Sequence, residues 1–349
     1  MRSGARGVEW AAAVTQFAVL GYTDRIAVPF SARLRDQVTT AFYTHPDCKL
    51  HDMGPGHPES PARLQAIEDQ LIASRIDQLL DYRSPPLAQE GDLVRAHSAG
   101  MIALVREHSL ALAGKAGLYP LDPDTSVNGH SWQAALRAAG AARAATDAVM
   151  AGEVSNAFCA VRPPGHHATS HNSMGFCLFN NIALAALHAL EAHGLERVAI
   201  IDFDVHHGNG TEEIFARDPR VLMASFFQHP FYPHCGTEPE GDNAVNIPVP
   251  AYSDGSVVRK LATEQWLPAL NAHRPQMIFV SAGFDAHRED DMAQMGLVEA
   301  DYTWLTRQIM EVAAEHAEGR IVSCLEGGYN LSALGRSAVA HLKVLAELE

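Results

Sequence analysis

The sequence predicts an α/β fold, with a central, mostly parallel sheet and helices on both of its faces. Apolar runs typical of strands buried on both faces alternate with Ala/Leu-rich amphipathic segments typical of helices. No repeat, low-complexity tract or Pro/Ser-rich linker interrupts this alternation after about residue 40. The predicted strands are 41–44, 157–161, 198–203, 221–226, 277–282 and 320–325.

The predicted helices lie between these strands, at 131–151, 181–193, 256–272 and 299–318. A further helix should begin at Ser60–Pro61, because a capping serine before a proline at the first helical position is a helix start signal. We therefore expect one domain, residues 41–349, after an N-terminal extension of unknown role, residues 1–40. The extension resembles a signal peptide in part, but Glu9 precedes its apolar stretch and no clean cleavage site follows.

The composition excludes several classes of partner. The formal net charge of −15 argues against general affinity for nucleic acid or an anionic membrane. No apolar run is long enough to span a bilayer. The five cysteines form no CxxC pair, which disfavours a disulfide framework or a thiolate zinc site and favours the cytoplasm.

Residues with metal-binding or catalytic chemistry follow four of the predicted strands. Sites in open parallel sheets form beyond the carboxyl ends of the strands. Polar residues after one strand can be explained by an ordinary solvated loop. Histidine, aspartate or tyrosine beside glycine after four strands predicts that these residues form one shared site. The segments, in chain order, are RPPGHHATSHNSMGFCLFNN, DVHHGNG, GFDAHRED and EGGYN.

The end of strand 198–203 and the segment that follows it predict a metal site. Asp202, Asp204 and His206 alternate along an extended chain, so their side chains can point the same way. We predict Asp204 and His206 as ligands, Asp202 behind them, and Asp285 as the third ligand. This set suits Zn²⁺, with Fe²⁺ or Co²⁺ as substitutes, and three protein ligands leave room for water and substrate. Solvated acids at a strand end are the alternative.

Two other strand ends supply candidate catalytic groups. His166 and His167 follow a Pro-Pro-Gly turn, and a neutral imidazole near a metal-activated water is a suitable general base. Tyr329 follows a glycine pair, and a phenol can stabilise a developing oxyanion. Surface histidines in a turn and a packing tyrosine are the alternatives for each segment alone.

The motifs RPPGHHA, GFCLFNN, DFDVHHGNGT, VSAGFDAHRED and LEGGYN resemble those of the zinc-dependent histone deacetylase family, which includes the bacterial acetylpolyamine amidohydrolases. The resemblance runs from about residue 42 to the C-terminus. It implies the three-layer α/β/α arginase–deacetylase fold and a catalytic domain over residues 41–349. It also implies zinc held by Asp204, His206 and Asp285.

The resemblance implies roles for further residues. His166 and His167 match the tandem histidines, which Asp202 and Asn209 should pair with respectively, and Tyr329 matches the catalytic tyrosine. Asn209 is typical of the class II branch. The substrate-binding positions implied are Gly175 and Phe176 in the tunnel wall, Tyr232 facing them, Asp124 at the substrate backbone and Arg63 in the internal channel.

The family also implies a structural monovalent cation, usually K⁺. Its ligands would be Asp202, the backbone carbonyls of Asp204 and His206, and the Ser225 hydroxyl. His207 should face away from the metal and be structural.

The expected activity is removal of acetyl or other acyl groups from the ε-amine of acetyl-lysine or a similar alkyl amine. An acetylpolyamine amidohydrolase remains the alternative, since Glu238, Glu240 and Asp242 could form an acidic gate or a solvated loop. Expected partners are acetylated lysine or a small acetylated amine, and a homo-oligomer stays open.

Two other functions fit the sequence less well. An arginase-type ureohydrolase needs aspartates for a second metal at positions that here hold Gly208 and His287. A non-catalytic acyl-lysine binding module would be expected to lose a metal ligand or the tyrosine, and none is lost.

Overall fold

An eight-stranded, entirely parallel sheet forms the centre of the computed structural model, which describes residues 39–348. The sheet order is β2-β1-β5-β10-β9-β6-β7-β8, and β3 and β4 form a separate antiparallel hairpin. The strands are β1 (Thr40–Tyr43), β2 (Asp81–Arg83), β3 (Tyr119–Pro120), β4 (Ser126–Val127), β5 (Asn156–Cys159), β6 (Val198–Asp202), β7 (Val221–Gln228), β8 (Ala244–Val249), β9 (Ile278–Ala282) and β10 (Ile321–Leu325).

All six predicted strands occur, and two strands of the sheet were missed. Both missed strands, β2 and β8, lie at its edges. β2 has only three residues, none of them buried, and β8 contains Pro248. Proline has no N–H to donate to a ladder and is therefore tolerated at an edge. β2 is too short and too polar to form the apolar run on which the prediction depended, and in β8 an asparagine and a proline interrupt that run.

Helices cover the sheet in the three-layer α/β/α arrangement that the family resemblance implies. α4 and α5 pack on each other, and α10 packs between α1 and α9. The helices are α1 (Ala62–Ser74), α2 (Glu90–Leu93), α3 (Ala99–Ala111), α4 (Ser131–Met150), α5 (Asn181–Glu191), α6 (Asn209–Phe215), α7 (Gly255–Leu261), α8 (Leu267–His273), α9 (Glu299–His316) and α10 (Leu331–Leu345), with a π-helical turn (Ala262–Trp266) joining α7 to α8.

The start of α1 differs from the prediction. Pro61 occupies the N-cap position with helical backbone angles, so the helix begins at Ala62 and no side chain caps it. Ser60 contributes its carbonyl, which accepts a hydrogen bond from Arg63 N at 3.1 Å, and not its hydroxyl. The predicted extension, residues 1–40, lies outside the described residues except for its last two. In the described part of the chain, no helix is long and apolar enough to cross a bilayer.

The order of the strands brings the predicted strand ends together. β5, β10, β9 and β6 are consecutive neighbours in the middle of the sheet. Because all are parallel, the segments that follow them leave from the same edge, which we call the catalytic edge. In register, Asp202 at the end of β6 lies opposite Ser281 of β9 and Ser225 of β7.

A buried histidine supports the strands that carry the site. His341 of α10 is fully buried, and its ring contacts those of Phe203 and Phe284, which lie beside Asp204 and Asp285 in the chain. Its two nitrogens contact the hydroxyls of Thr306 at 2.7 Å and Ser323 at 2.9 Å. Burial lowers the pKa of His341 to about 3, so the folded protein holds this ring neutral.

We expect acid to destabilise the fold through His341. In the unfolded chain this ring titrates near 6.5, so the unfolded state binds an extra proton below that pH and stability falls as the pH falls through it. Between pH 7 and pH 5 the wild-type chain should lose about 2 kcal/mol more of its unfolding free energy than His341→Gln. Urea unfolding at both pH values measures this, and equal losses would contradict it.

Candidate active site

Three potential metal ligands meet at the catalytic edge. Asp204 and His206 follow β6, and Asp285 follows β9, the neighbouring strand. One ligand atom from each lies within 4.8 Å of the other two, and all three residues are buried. His206 Nδ1 lies 3.1 Å from Asp204 Oδ1 and from Asp285 Oδ2. The structure thus brings together the three residues that the sequence nominates.

The charge of this cluster fits a bound cation. Burial and the neighbouring Asp204 carboxylate raise the pKa of Asp285 to about 6. Two carboxylates this close and this dry are unfavourable unless a positive charge lies between them. Two carboxylates and one imidazole are a donor set that suits Zn²⁺. The residues present therefore fit the zinc ion that the family resemblance implies.

Backbone N–H groups hold the two carboxylates in place. Asp204 accepts hydrogen bonds from His206 N at 2.9 Å and from Gly327 N at 2.8 Å, and Asp285 accepts one from Val205 N at 2.9 Å. A Cβ at position 327 would overlap both carboxylates. The first glycine of EGGYN is therefore required for the close approach of the backbone to the cluster.

The tandem histidines have different partners. His166 Nδ1 lies 2.9 Å from Asp202 Oδ2, and His167 Nδ1 lies 2.8 Å from Asn209 Oδ1. Burial opposes the imidazolium of His166, but Asp204 and Asp202 outweigh it and raise its pKa to about 10. Burial, with the charges of His166 and His206, lowers the pKa of His167 well below its ordinary value.

These contacts fix the tautomer of His167. The Asn209 amide oxygen accepts, so the proton of His167 is on Nδ1 and Nε2 keeps its lone pair. His167 lines the cavity described below, whereas His166 is not among its lining residues. His167 is therefore the ring of this pair that can take up a proton from a molecule in the cavity.

A cavity of about 300 Å³ opens beside the cluster. Phe176 lies edge-on to Tyr329, with ring centroids 5.8 Å apart, and Tyr232 lies edge-on to His167 at 5.2 Å. A cavity with mostly aromatic walls and a few polar groups is typical of a ligand-binding site. Such a cavity suits a ligand with an apolar alkyl chain and a polar group at its end. The lining residues are Asp124, His167, Gly175, Phe176, His206, Phe231, Tyr232, Met292 and Tyr329.

The turn that carries Phe176 is held by a neighbouring loop. Gly175 and Phe176 both have positive φ, and a Cβ at 175 would overlap the His167 ring. Asp124 Oδ1 accepts a hydrogen bond from Gly175 N at 3.1 Å, and Thr125 Oγ1 accepts one from Phe176 N at 2.9 Å. Asp124 lines the cavity, and it also supports the aromatic wall.

Three further predicted residues lie outside the cavity lining. Arg63 is buried 4.9 Å from the Tyr329 ring centroid and donates to Gly328 O at 2.6 Å. Ser225, beside Asp202 in the sheet, contacts Asn246 Oδ1 at 3.2 Å. His207 faces away from the cluster, and its Nε2 lies 2.7 Å from Glu212 Oε2.

Tyr329 is presented by a loop between β10 and α10. Burial raises its pKa well above the ordinary value, although Arg63 opposes this. The phenol therefore stays protonated and able to donate. Asp290, a buried carboxylate, accepts hydrogen bonds from Tyr329 N at 2.6 Å and Asn330 N at 2.9 Å. Asp290 thus joins the loop that bears Asp285 to the loop that bears Tyr329.

Asp290 and Glu326 lie in the segments GFDAHRED and EGGYN, but neither was predicted as a functional residue. Glu326 directly follows β10 and accepts hydrogen bonds from Gly165 N at 2.7 Å and His166 N at 3.1 Å. Burial raises its pKa to about 7. An acid at the carboxyl end of a buried strand was part of the signal used for Asp202, and the same signal would have found Glu326. No such signal marks Phe231 or Met292 as cavity residues.

Comparisons with known proteins identify the family to which this chain belongs. The histone deacetylase domain family matches residues 57–345. A histone deacetylase-like amidohydrolase of Pseudomonas aeruginosa is 38% identical over 315 residues, which cover 83% of this chain and 82% of that protein. A probable deacetylase of Archaeoglobus fulgidus is 34% identical, with 89% and 86% covered. The crystal structure of the HDA15 HD domain superposes with a TM-score of 0.83 at 33% identity, covering 89% of each chain.

We expect Asp285→Asn to lose most of its zinc after dialysis, since an amide is a poorer and uncharged ligand. Elemental analysis of the purified chain measures the zinc content, and circular dichroism checks the fold. Asp291→Asn, an exposed acid on the same loop, is the matched control and should retain zinc. Wild-type zinc content in Asp285→Asn would exclude Asp285 as a ligand.

Proposed function

Because the chain belongs to the histone deacetylase family, we propose that it is a zinc-dependent amidohydrolase that removes acetyl or other acyl groups from acyl-lysine or a similar alkyl amine. The observation that carries this proposal is the buried cluster of Asp204, His206 and Asp285 beside an aromatic cavity. A neutral histidine and a protonated tyrosine line the same cavity. Together they supply a metal site, a base and an oxyanion donor for amide hydrolysis.

His167 is proposed as the general base and later as the general acid. Zn²⁺ held by Asp204, His206 and Asp285 would polarise the amide carbonyl and lower the pKa of a nearby water. His167 Nε2, with its free lone pair, takes the proton of that water as the water attacks the carbonyl carbon. The same nitrogen then protonates the leaving amine, which departs from the acyl group as a carboxylate forms. His166, held cationic by Asp202 and Asp204, would add positive charge beside this centre.

Tyr329 is proposed to donate to the carbonyl oxygen as that oxygen becomes negative. Its raised pKa keeps the hydroxyl protonated throughout the working pH range. Asp290 holds the backbone of Tyr329 by hydrogen bonds and does not itself line the cavity. We therefore assign Asp290 as a positioning residue for the tyrosine.

The shape of the cavity supports a lysine-like alkyl chain as the substrate. Phe176 and Tyr232 would enclose the methylene groups, while the amide reaches His206, His167 and Tyr329. Asp124 is the one carboxylate among the described lining residues. Glu238, Glu240 and Asp242 do not line the cavity, so they give no support to an acidic polyamine gate.

Two further features belong to this proposal. We propose a structural K⁺ beside Asp202, with the Ser225 hydroxyl and the carbonyls of Asp204 and His206 as its other ligands; the adjacency of Asp202 and Ser225 in the sheet supports it. We also propose a cytoplasmic location, supported by five cysteines that are all free.

The activity is tested with a fluorogenic acetyl-lysine peptide. We expect hydrolysis that a chelator abolishes and that added Zn²⁺ restores. Comparing kcat/KM for this peptide and for N-acetylputrescine separates the lysine and polyamine alternatives. Absence of hydrolysis of both substrates by zinc-loaded protein would overturn the proposal.

Tyr329→Phe should lose about 2–4 kcal/mol of transition-state stabilisation, seen mainly in kcat, because only the oxyanion donor is removed. Zinc content should remain at the wild-type level. Near-wild-type turnover would rule out the proposed role of the hydroxyl.

Asn209→Asp should move the acid limb of the pH–rate profile to higher pH. A carboxylate beside His167 Nδ1 favours the imidazolium and raises the pKa of His167. Activity requires the neutral ring, so the rise of kcat/KM with pH should occur at higher pH. An unmoved acid limb would argue against His167 as the base.

Asp290→Ala should lower kcat by about 10–100-fold with little change in KM or zinc content, because the tyrosine loses its backbone anchor. Asp291→Ala is the matched control on the same loop. Adding Asp290→Ala to Tyr329→Phe should lower kcat little further, because the hydroxyl that Asp290 positions is already gone. If kcat falls by the same factor in the double variant as in Asp290→Ala alone, Asp290 does not act through Tyr329.

A further inference from the structure

A second cluster of metal-ligating side chains lies outside the active site, between α4 and α5. Asp147 is in the last turn of α4, His188 is in the last turn of α5, and His193 follows that helix. These helices end where the chain returns to the amino ends of β5 and β6. The cluster therefore lies toward the edge of the sheet opposite the catalytic edge, and none of its residues lines the cavity.

The three side chains already converge on one point. His188 Nε2 lies 2.6 Å and His193 Nε2 lies 2.8 Å from the same oxygen, Asp147 Oδ1. The two rings are nearly perpendicular, with centroids 5.3 Å apart. His188 is nearly buried, whereas Asp147 is 42% exposed. The ligand atoms are thus held together by two helices, and one side of the group is open to water.

This donor set matches divalent transition metals. Two imidazole nitrogens and one carboxylate oxygen suit Zn²⁺ and Ni²⁺, and water can complete the coordination. A cation at the carboxyl end of α5 is also favoured by the helix dipole. An ion bound among the three atoms would replace the two hydrogen bonds that Asp147 Oδ1 now accepts.

The surrounding charges permit a cation. Arg143 lies 3.5 Å from Asp147 and 3.7 Å from Asp92, and Arg95 lies 3.5 Å from Glu191. The three carboxylates (Asp92, Asp147 and Glu191) and the two guanidinium groups (Arg95 and Arg143) together carry a net charge of −1 around the two histidines. A divalent ion would therefore enter a region that is negative when the histidines are neutral.

From this geometry we propose that Asp147, His188 and His193 form a second metal site, which binds Zn²⁺ or Ni²⁺ and joins the end of α4 to the end of α5. The site is separate from the proposed catalytic zinc and does not depend on the deacetylase activity. Its effect is on stability, because an ion that binds the folded state alone stabilises that state.

Arg95 sets the affinity of this site. Its Nη1 lies 3.2 Å from His188 Nδ1, so the arginine donates to Nδ1 and the ring carries its proton on Nε2. Metal binding through Nε2 requires the proton to move to Nδ1 and Arg95 to turn away. Replacing Arg95 with methionine removes this competition and should tighten metal binding by about tenfold.

The test uses the full chain with its catalytic metal in place. Equilibrium dialysis against Zn²⁺, and separately Ni²⁺, should show one more bound ion per wild-type chain than in His193→Ala or Asp147→Asn. Saturating Zn²⁺ should raise Tm by about 3 °C in the wild type and not in these variants. Deacetylase activity should be unchanged in both variants.

His130→Ala is the matched control, since His130 is an exposed histidine at the other end of α4. It should keep the additional ion, and Arg95→Met should bind that ion more tightly than the wild type. Equal ion counts in the wild type, His193→Ala and Asp147→Asn would overturn the proposal, because the cluster would then be a hydrogen-bonded group only. Weaker binding in Arg95→Met would overturn the proposed role of Arg95.

Discussion

Buried negative charge at the carboxyl edge of the sheet is the constraint that organises this molecule. Asp202, Asp204, Asp285, Asp290 and Glu326 are all buried there, and no carboxylate stays in such a place without compensation. Backbone N–H groups and the imidazoles of His166 and His206 supply part of this compensation, and the proposed Zn²⁺ would supply the rest. The backbone N–H groups that donate to these carboxylates belong to the loops at the strand ends. The hydrogen bonds that compensate the buried charge therefore also hold the loops that form the site.

The same contacts explain why the reactive side chains come from separate parts of the chain yet meet. Glu326 holds the backbone of the tandem-histidine turn, and Asp290 holds the backbone of Tyr329. Asp204 in turn accepts from Gly327, on the loop that leads to the tyrosine. The tandem-histidine turn, the Asp204–His206–Asp285 cluster and the Tyr329 loop are therefore linked by hydrogen bonds from backbone N–H groups to carboxylates, which are stronger than hydrogen bonds between neutral groups.

The two histidine pairs show how environment decides role. In the HHG segment, His206 faces the cluster and His207 faces Glu212, because alternate residues of an extended segment point to opposite sides. In the GHH segment both rings lie near the cluster, but Asp202 favours charge on one and Asn209 adds none to the other. Four residues of one type thus take four different proposed roles: metal ligand for His206, structural residue for His207, imidazolium for His166 and general base for His167.

The sequence by itself determined the parallel α/β fold, the six central strands and the three candidate metal ligands that the structure brings together. It could do so because buried parallel strands are continuous apolar runs, and their carboxyl ends must share an edge. The edge strands β2 and β8, the helix start at Ala62 and the backbone contacts of Asp290 and Glu326 were decided only by the tertiary structure. The same is true of the Asp147–His188–His193 cluster, because it depends on how two helices pack and not on any local pattern in the chain.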